Sequence, residues 1–146
     1  MPVIVVGADT EPGRAVVNEL RDPQREIRVF VSDTDQAARY RDLGLKVALG
    51  DVSDESHVEA ACEMCFTAVL IAEAAHDKRE RSFADGPDEV MRGWDRAAGN
   101  AGVTRVIWVI DAEPPATGAP EVATVDPARP DLAIRVAEID DAQRIA

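Results

Sequence analysis

The sequence predicts an α/β fold in which a mostly parallel sheet carries helices on both faces. Three observations predict it. Apolar, β-rich runs alternate with amphipathic segments from Val3 to Ile110, the pattern of repeated strand-helix-strand units joined by right-handed crossovers. Hydrophobic residues make up 46% of the chain but aromatic ones only 4%, so the core is aliphatic, as suits strands buried on both faces. At 146 residues the chain is about one domain, long enough for one core and too short for two.

The elements follow in order. Residues 3–6 are an apolar run that breaks at Gly7, and a helical pattern begins six residues later with Pro12 near its first position and Val16, Val17 and Leu20 on one face. Residues 27–31 form a second strand, followed by a helix from about 35 to 43 that stops at Gly44. Residues 46–49 form a third strand. The helix from about 54 to 63 starts on Ser53-Asp54-Glu55-Ser56, whose oxygens cap free backbone N–H groups. A fourth strand over 66–72 leads to a helix over about 87–100, with Val90, Met91, Trp94, Ala97 and Ala98 on its buried face. Residues 103–110 give a fifth strand.

After Asp111 the composition changes. Five of the nine prolines, Pro114, Pro115, Pro120, Pro127 and Pro130, fall in seventeen residues, a density no helix interior survives. This predicts a loop over 111–130. Leu132, Ile134 and Val136 then alternate with polar or small residues and read as a sixth strand of open direction. No repeat or second domain is visible, so residues 1–146 read as a single domain.

A net charge of −12 repels phosphate backbones and anionic membranes, which disfavours nucleic acid as a partner. The longest apolar run, 66–72, is too short to cross a bilayer. The chain enters its first strand without room for a secretory leader, so a cytoplasmic location is expected. Cys62 and Cys65 form a C-x-x-C at the end of a helical pattern, where the dipole opposes thiolate, so they read as buried structural cysteines. His57 and His76 lack ligand spacing; both read as ordinary surface or edge residues, and no metal site is expected.

The turn Gly7-Ala-Asp-Thr-Glu-Pro-Gly13 joins a strand to a helix N-terminus, whose N–H groups and dipole favour a pyrophosphate. Together with Arg28-Val-Phe-Val-Ser-Asp33, Leu43-Gly-Leu-Lys-Val-Ala-Leu-Gly-Asp51-Val52 and Ala101-Gly-Val-Thr-Arg-Val-Ile-Trp-Val109, it resembles the extended and atypical short-chain dehydrogenase/reductases. The resemblance is to the NmrA-like NAD(P)-binding group, truncated after the sixth strand. It covers about three quarters of the chain and rests on the order and spacing of the segments. It implies a three-layer Rossmann-like domain with strand order 3-2-1-4-5, extended by the sixth strand.

The resemblance also implies a dinucleotide across the carboxyl ends of the strands. Gly7, Asp9, Thr10, Pro12 and Gly13 would meet its pyrophosphate, Ser32 and Asp33 its ribose, Asp51 and Val52 its adenine, and Ala72 with Glu73 the part beyond the fourth strand. Three departures weaken that cradle. Thr10 replaces the middle glycine, Pro12 removes an N–H, and Glu11 adds charge beside an anion site. Ser32 stands where the group usually has an arginine for a 2′-phosphate, and Asp33 follows. NAD is therefore preferred over NADP, if the chain takes a cofactor at all. Asp33 and Asp35 also read as caps of the second helix, and one aspartate can do both.

Catalysis in the family needs a Tyr-x-x-x-Lys pair after strand five. The only tyrosine here is Tyr40, in the second helix, and no lysine follows Lys78. The catalytic serine would fall at Ile110 or Asp111. Asp111, Glu113 and Glu73 can converge at the strand ends, but an acidic chain has carboxylates everywhere, and no catalytic residue is assigned.

Three functional readings follow. The first is a non-catalytic or regulatory domain with weak or lost dinucleotide binding. The second is a nicotinamide-dependent oxidoreductase or epimerase-like subunit whose substrate region comes from a partner, since family members carry such a region. The third is a protein-interaction module. For the last, Trp94 and Met91 are either a dimer anchor or packed on the sheet, and a homodimer is expected.

Overall fold

The computed structural model describes residues 2–77 and 82–145. Among these residues six strands, β1 (Val3–Val6), β2 (Ile27–Val31), β3 (Lys46–Leu49), β4 (Thr67–Ile71), β5 (Arg105–Val109) and β6 (Glu121–Val125), form one sheet in the order β3-β2-β1-β4-β5-β6, every neighbouring pair parallel. Strands β1, β2 and β3 match the boundaries expected from their apolar runs. β4 and β5 are slightly shorter than expected. The row Val47, Val29, Val5, Val69, Ile107 and Ala123 runs across the sheet in register.

Strand alternation divides the core into two layers. Val3, Val5, Val29, Val69, Ile107 and Val109 face one side, under α1 (Glu11–Leu20), α2 (Thr34–Asp42) and α6 (Leu132–Asp141). Ile4, Val6, Phe30, Leu70, Val106 and Trp108 face the other, under α3 (Glu55–Cys62) and α5 (Pro87–Asn100). A single turn, α4 (Ala72–Ala75), follows β4 directly. The result is the three-layer α/β/α sandwich expected from the sequence.

One expectation is overturned. The alternating segment 131–137 is not a strand but the start of α6, and β6 lies earlier, at Glu121–Val125, inside the stretch read as loop. The buried residues of α6 are Leu132, Val136 and Ile139, a helical i, i+4, i+7 stripe. Ile134, which created the apparent alternation, is 50% exposed. The five residues of β6 contain no proline; Pro120 and Pro127 only flank it, as an edge strand permits. The sixth strand is parallel to β5, and residues 110–120 cross over without a helix.

At the amino ends of the strands, Arg105 fixes α6 to the sheet. Its fully buried guanidinium donates to the carbonyls of Ile139, Asp140 and Ala142 at 2.6, 3.0 and 2.8 Å and pairs with Glu121 at 2.8 Å. The cation thus caps a helix C-terminus and satisfies carbonyls that the helix leaves free.

Trp94 is 1% exposed. It stacks on Trp108 with ring centroids 6.5 Å apart, and its Nε1 donates to the Val52 carbonyl at 2.8 Å. Met91 is 5% exposed. Both side chains pack within the domain, so the packing alternative holds for them and the dimer anchor does not.

Candidate functional site

The turn after β1 is built by two glycines with different tasks. Gly7 has φ +89°, a left-handed conformation that favours glycine, and an added Cβ would lie 2.8 Å from the Cβ of Ala74. Gly13 has no such torsion, but a Cβ there would lie 2.1 Å from the Gly7 carbonyl oxygen. The first helical turn is therefore folded tightly onto the end of β1. This is the tight strand-to-helix turn expected from the glycine spacing.

Its donors are largely taken by the chain itself. Thr10 Oγ1 donates to the Gly7 carbonyl at 2.7 Å and accepts from the Gly13 N–H at 3.0 Å, a side-chain N-cap. The Gly7 and Ala8 N–H groups donate to the Phe30 carbonyl, that of Thr10 to Gly7 and that of Arg14 to Thr10. Pro12 has no N–H. Among the described residues, this leaves the Asp9 and Glu11 N–H groups of the turn without a protein acceptor.

Asp9 has a role that its position in the sequence does not disclose. Its Oδ2 accepts from the N–H groups of Ser32 at 2.9 Å and Asp33 at 3.2 Å, binding the turn to the end of β2. Asp33 Oδ1 accepts from the Asp35 N–H at 2.9 Å, so Asp33 caps α2. Tyr40 is buried and donates to the Ala8 carbonyl at 2.6 Å, and burial pushes its phenol above the usual range. The one tyrosine of the chain is a strut beneath the turn.

Two adjoining cavities run along the carboxyl edge of the sheet and share Glu73 and His76. One, of about 510 Å³, is lined by Asp9, Thr10, Ser32 and Asp33 together with Glu11 and Arg14. The other, of about 460 Å³, lies between the ends of β4 and β5, where Ala72, Pro12, Met91 and Ile110 provide an apolar floor beneath Asp88, Asp111 and Glu113. Glu73, Asp111 and Glu113 thus border one cavity. Gly7 and Gly13 are buried beneath the turn.

Asp51 and Val52 line neither cavity. Burial alone would raise the Asp51 carboxyl, but hydrogen bonds from the Ser53 hydroxyl at 2.6 Å, the Ser53 N–H at 2.8 Å and the Ser82 N–H at 3.1 Å hold it below its usual range. Val52 is 1% exposed beneath Trp94. These two residues stand at the β3 side of the cleft, engaged in the chain's own contacts.

Sequence reasoning passed over Arg14 and His76 as cleft residues. Arg14 carried a signal, since it directly follows the last glycine and so sits within one helical turn of the cradle. His76 carried none: it reaches the cleft because β4 runs straight into α4. His57 lies partly buried with its ring edge-on to Phe30, 5.0 Å between centroids. Cys62 and Cys65 are both buried and unbridged, as expected. Among the described residues no group of His, Cys, Asp or Glu is arranged to hold a metal ion, and no helix is long and apolar enough to cross a membrane.

Comparison with known proteins agrees with the fold. Residues 7–130 match a family model described as NAD(P)H-binding. Among solved structures, the chain is similar to Citrobacter sp. triphenylmethane reductase complexed with NADP(H): TM-score 0.62, 21% identity, over 75% of this chain and 37% of that one. It is similar to ChuY, an anaerobillin reductase from Escherichia coli O157:H7, with TM-score 0.58 and 25% identity over 75% of this chain and 50% of that one. The Escherichia coli NADPH-dependent quinone oxidoreductase QOR2 complexed with NADPH gives TM-score 0.61 and 21% identity over 73% and 36%. This chain therefore spans half or less of the length of these neighbours. No curated protein matches it in sequence.

Proposed function

We propose that this chain, which belongs to the NAD(P)H-binding family, is a dinucleotide-binding domain that does not itself carry out the reduction its structural neighbours perform. The observation that carries the reading is the position of Tyr40: buried under the turn with its hydroxyl on the Ala8 carbonyl, it is no proton donor to a substrate. Ile110 stands at the end of β5, and residues 110–120 hold no helix on which a Tyr-x-x-x-Lys pair can be displayed.

The cradle fits a dinucleotide in shape, because Gly13 lies where any side chain would strike the Gly7 carbonyl. When bound, a nicotinamide dinucleotide supplies a hydride donor or acceptor. The chain's own residues would do the holding: the 7–13 turn under the pyrophosphate, Ser32 and Asp33 at the ribose, and Ala72 at the far end. Binding is weak, since Thr10 already occupies the Gly13 N–H and Pro12 offers none. NAD is favoured over NADP. Ser32 provides no positive charge for a 2′-phosphate, while the carboxylates of Asp9 and Asp33 both lie at the end of β2.

A thermal-shift titration tests this. Millimolar NAD raises the melting midpoint, and NADP at the same concentration raises it less; a ligand at about 100 times its Kd adds roughly 2.7 kcal/mol of stability. No shift with either refutes dinucleotide binding. Turnover of NADH with a carbonyl or quinone by the isolated chain refutes the non-catalytic part.

A second reading is a nicotinamide-dependent subunit whose substrate region comes from another chain, and the reductases among its structural neighbours support it. A complex that consumes NADH while the isolated chain does not would support it. A homomer that stays inactive with every such partner would refute it.

A further inference from the structure

The larger cavity holds a positive charge. Arg14 lines it, and among the described residues it makes no ion pair. Its one hydrogen bond is from Nη1 to the Asp9 carbonyl at 2.7 Å. The remaining guanidinium N–H groups have no protein acceptor among those residues, in a cavity also lined by Asp9, Glu11, Asp33, Glu73 and Asp77. In a chain of net charge −12, a cation held at the mouth of an acidic cleft by a neutral carbonyl keeps nearly all its capacity for an anion. The contact with Asp9 also orients it. Asp9 is part of the turn and is itself bonded to the Ser32 and Asp33 N–H groups, so the guanidinium is tied to the region between the turn and the end of β2.

We propose that Arg14 is the phosphate-binding residue of this cleft, holding the 5′-diphosphate of an adenine nucleotide with a side-chain charge in place of the backbone donors that Thr10 and Pro12 remove. The inference rests on the dinucleotide-binding reading and adds a specific residue to it. A fork of N–H donors suits a diphosphate, and its charge offsets the surrounding carboxylates.

Isothermal titration of the purified chain with ADP, 2′-AMP and adenosine, in wild type, Arg14→Gln and Arg14→Lys, tests it. Glutamine keeps an amide donor for the Asp9 carbonyl, and melting curves of the variants verify that the fold is retained. The expected result is a loss of ADP affinity of at least about tenfold in Arg14→Gln, adenosine affinity within about twofold of wild type, and most ADP affinity kept in Arg14→Lys. ADP binding to wild type also weakens with added salt, and Arg14→Gln shows a shallower dependence. Equal ADP affinity in wild type and Arg14→Gln overturns the assignment while leaving the dinucleotide reading intact. A larger loss for 2′-AMP than for ADP moves the contact to the 2′ position and overturns the 5′-diphosphate assignment. Failure of wild type to bind ADP, NAD or adenosine overturns both.

Discussion

Gly13→Ala isolates the contact on which the turn is built. Gly13 lies in the first turn of α1 with helical torsions, so alanine brings no torsional strain and should gain about 1 kcal/mol in helix propensity. The new Cβ would stand 2.1 Å from the Gly7 carbonyl oxygen, 2.8 Å from Thr10 Oγ1 and 2.9 Å from Ala8 Cα, where ordinary contact begins at 3.4 Å. Two of the three obstacles are backbone, held by β1 and by the bonds of Gly7 and Ala8 to Phe30. Relief requires α1 to withdraw by more than about 1 Å, which disturbs Val16, Val17 and Leu20 in the core. Overpacking of this kind costs about 3 kcal/mol, leaving a net loss of about 2 kcal/mol and a melting point lower by roughly 5–8 °C. Gly99→Ala is the control, since Gly99 lies inside α5 with nothing within 4 Å of its Cβ position; it should leave the melting point unchanged or raise it. The assay is circular dichroism melting of both variants. A Gly13→Ala protein that melts within about 1 °C of wild type refutes the close approach of helix and strand, and with it the cradle geometry.

The remaining predictions concern the cap, the tryptophan pair and the cysteines. Thr10→Gly removes the hydroxyl from the Gly13 N–H at a cost of a few tenths of a kcal/mol, and ADP affinity should rise in titration; a fall would mean that the hydroxyl itself meets phosphate. Trp94→Phe keeps an aromatic ring beside Trp108 but leaves the buried Val52 carbonyl without its donor, costing about 1–3 kcal/mol in urea unfolding; an unchanged midpoint contradicts the bond. Burial pushes the Cys62 thiol up to about 12, with neighbouring Cys65 adding to the shift, and burial raises Cys65 as well. A disulfide reagent at pH 8 should therefore label neither thiol in the native state and both after denaturation, and prompt native labelling would show that the helix end carrying them opens.

The strands and the two-faced core were legible because their signals are local. β1, β2 and β3 are runs of apolar residues bounded by breakers, and α5 begins at Pro87 and carries its buried face at helical spacing. The error over 121–141 has an equally local origin. Five clean residues, Glu121–Val125, were hidden by the prolines around them, and a window ending at Ala137 gave Ile134 the weight that Ile139, the third member of the α6 stripe, should have had. α4 is four residues long, too short for any periodicity. The turn was legible as a place, since glycine spacing marks it. Its internal wiring was not: Asp9 reaches the backbone of Ser32 and Asp33, and Tyr40 reaches Ala8 across thirty-two positions. Such contacts exist only once β1, β2 and α2 are assembled.

That wiring holds the turn through the chain's own contacts. A helix N-terminus leaves N–H groups that need acceptors, and a dinucleotide-binding turn ordinarily presents them to phosphate. Here Thr10 supplies the acceptor for Gly13 from within the turn, Asp9 supplies one for Ser32 and Asp33, and Tyr40 satisfies the Ala8 carbonyl from below. Of these, only the Thr10 contact occupies an N–H that a phosphate on the turn would take, and a ligand must match its roughly 1 kcal/mol before it gains anything there. Thr10 thus sets an affinity threshold at the Gly13 N–H, while the Asp9 and Glu11 N–H groups have no protein acceptor among the described residues. On the proposed reading, a phosphate ligand would pass it by adding bonds to those two N–H groups and to the guanidinium of Arg14, whose one hydrogen bond among the described residues is to the Asp9 carbonyl.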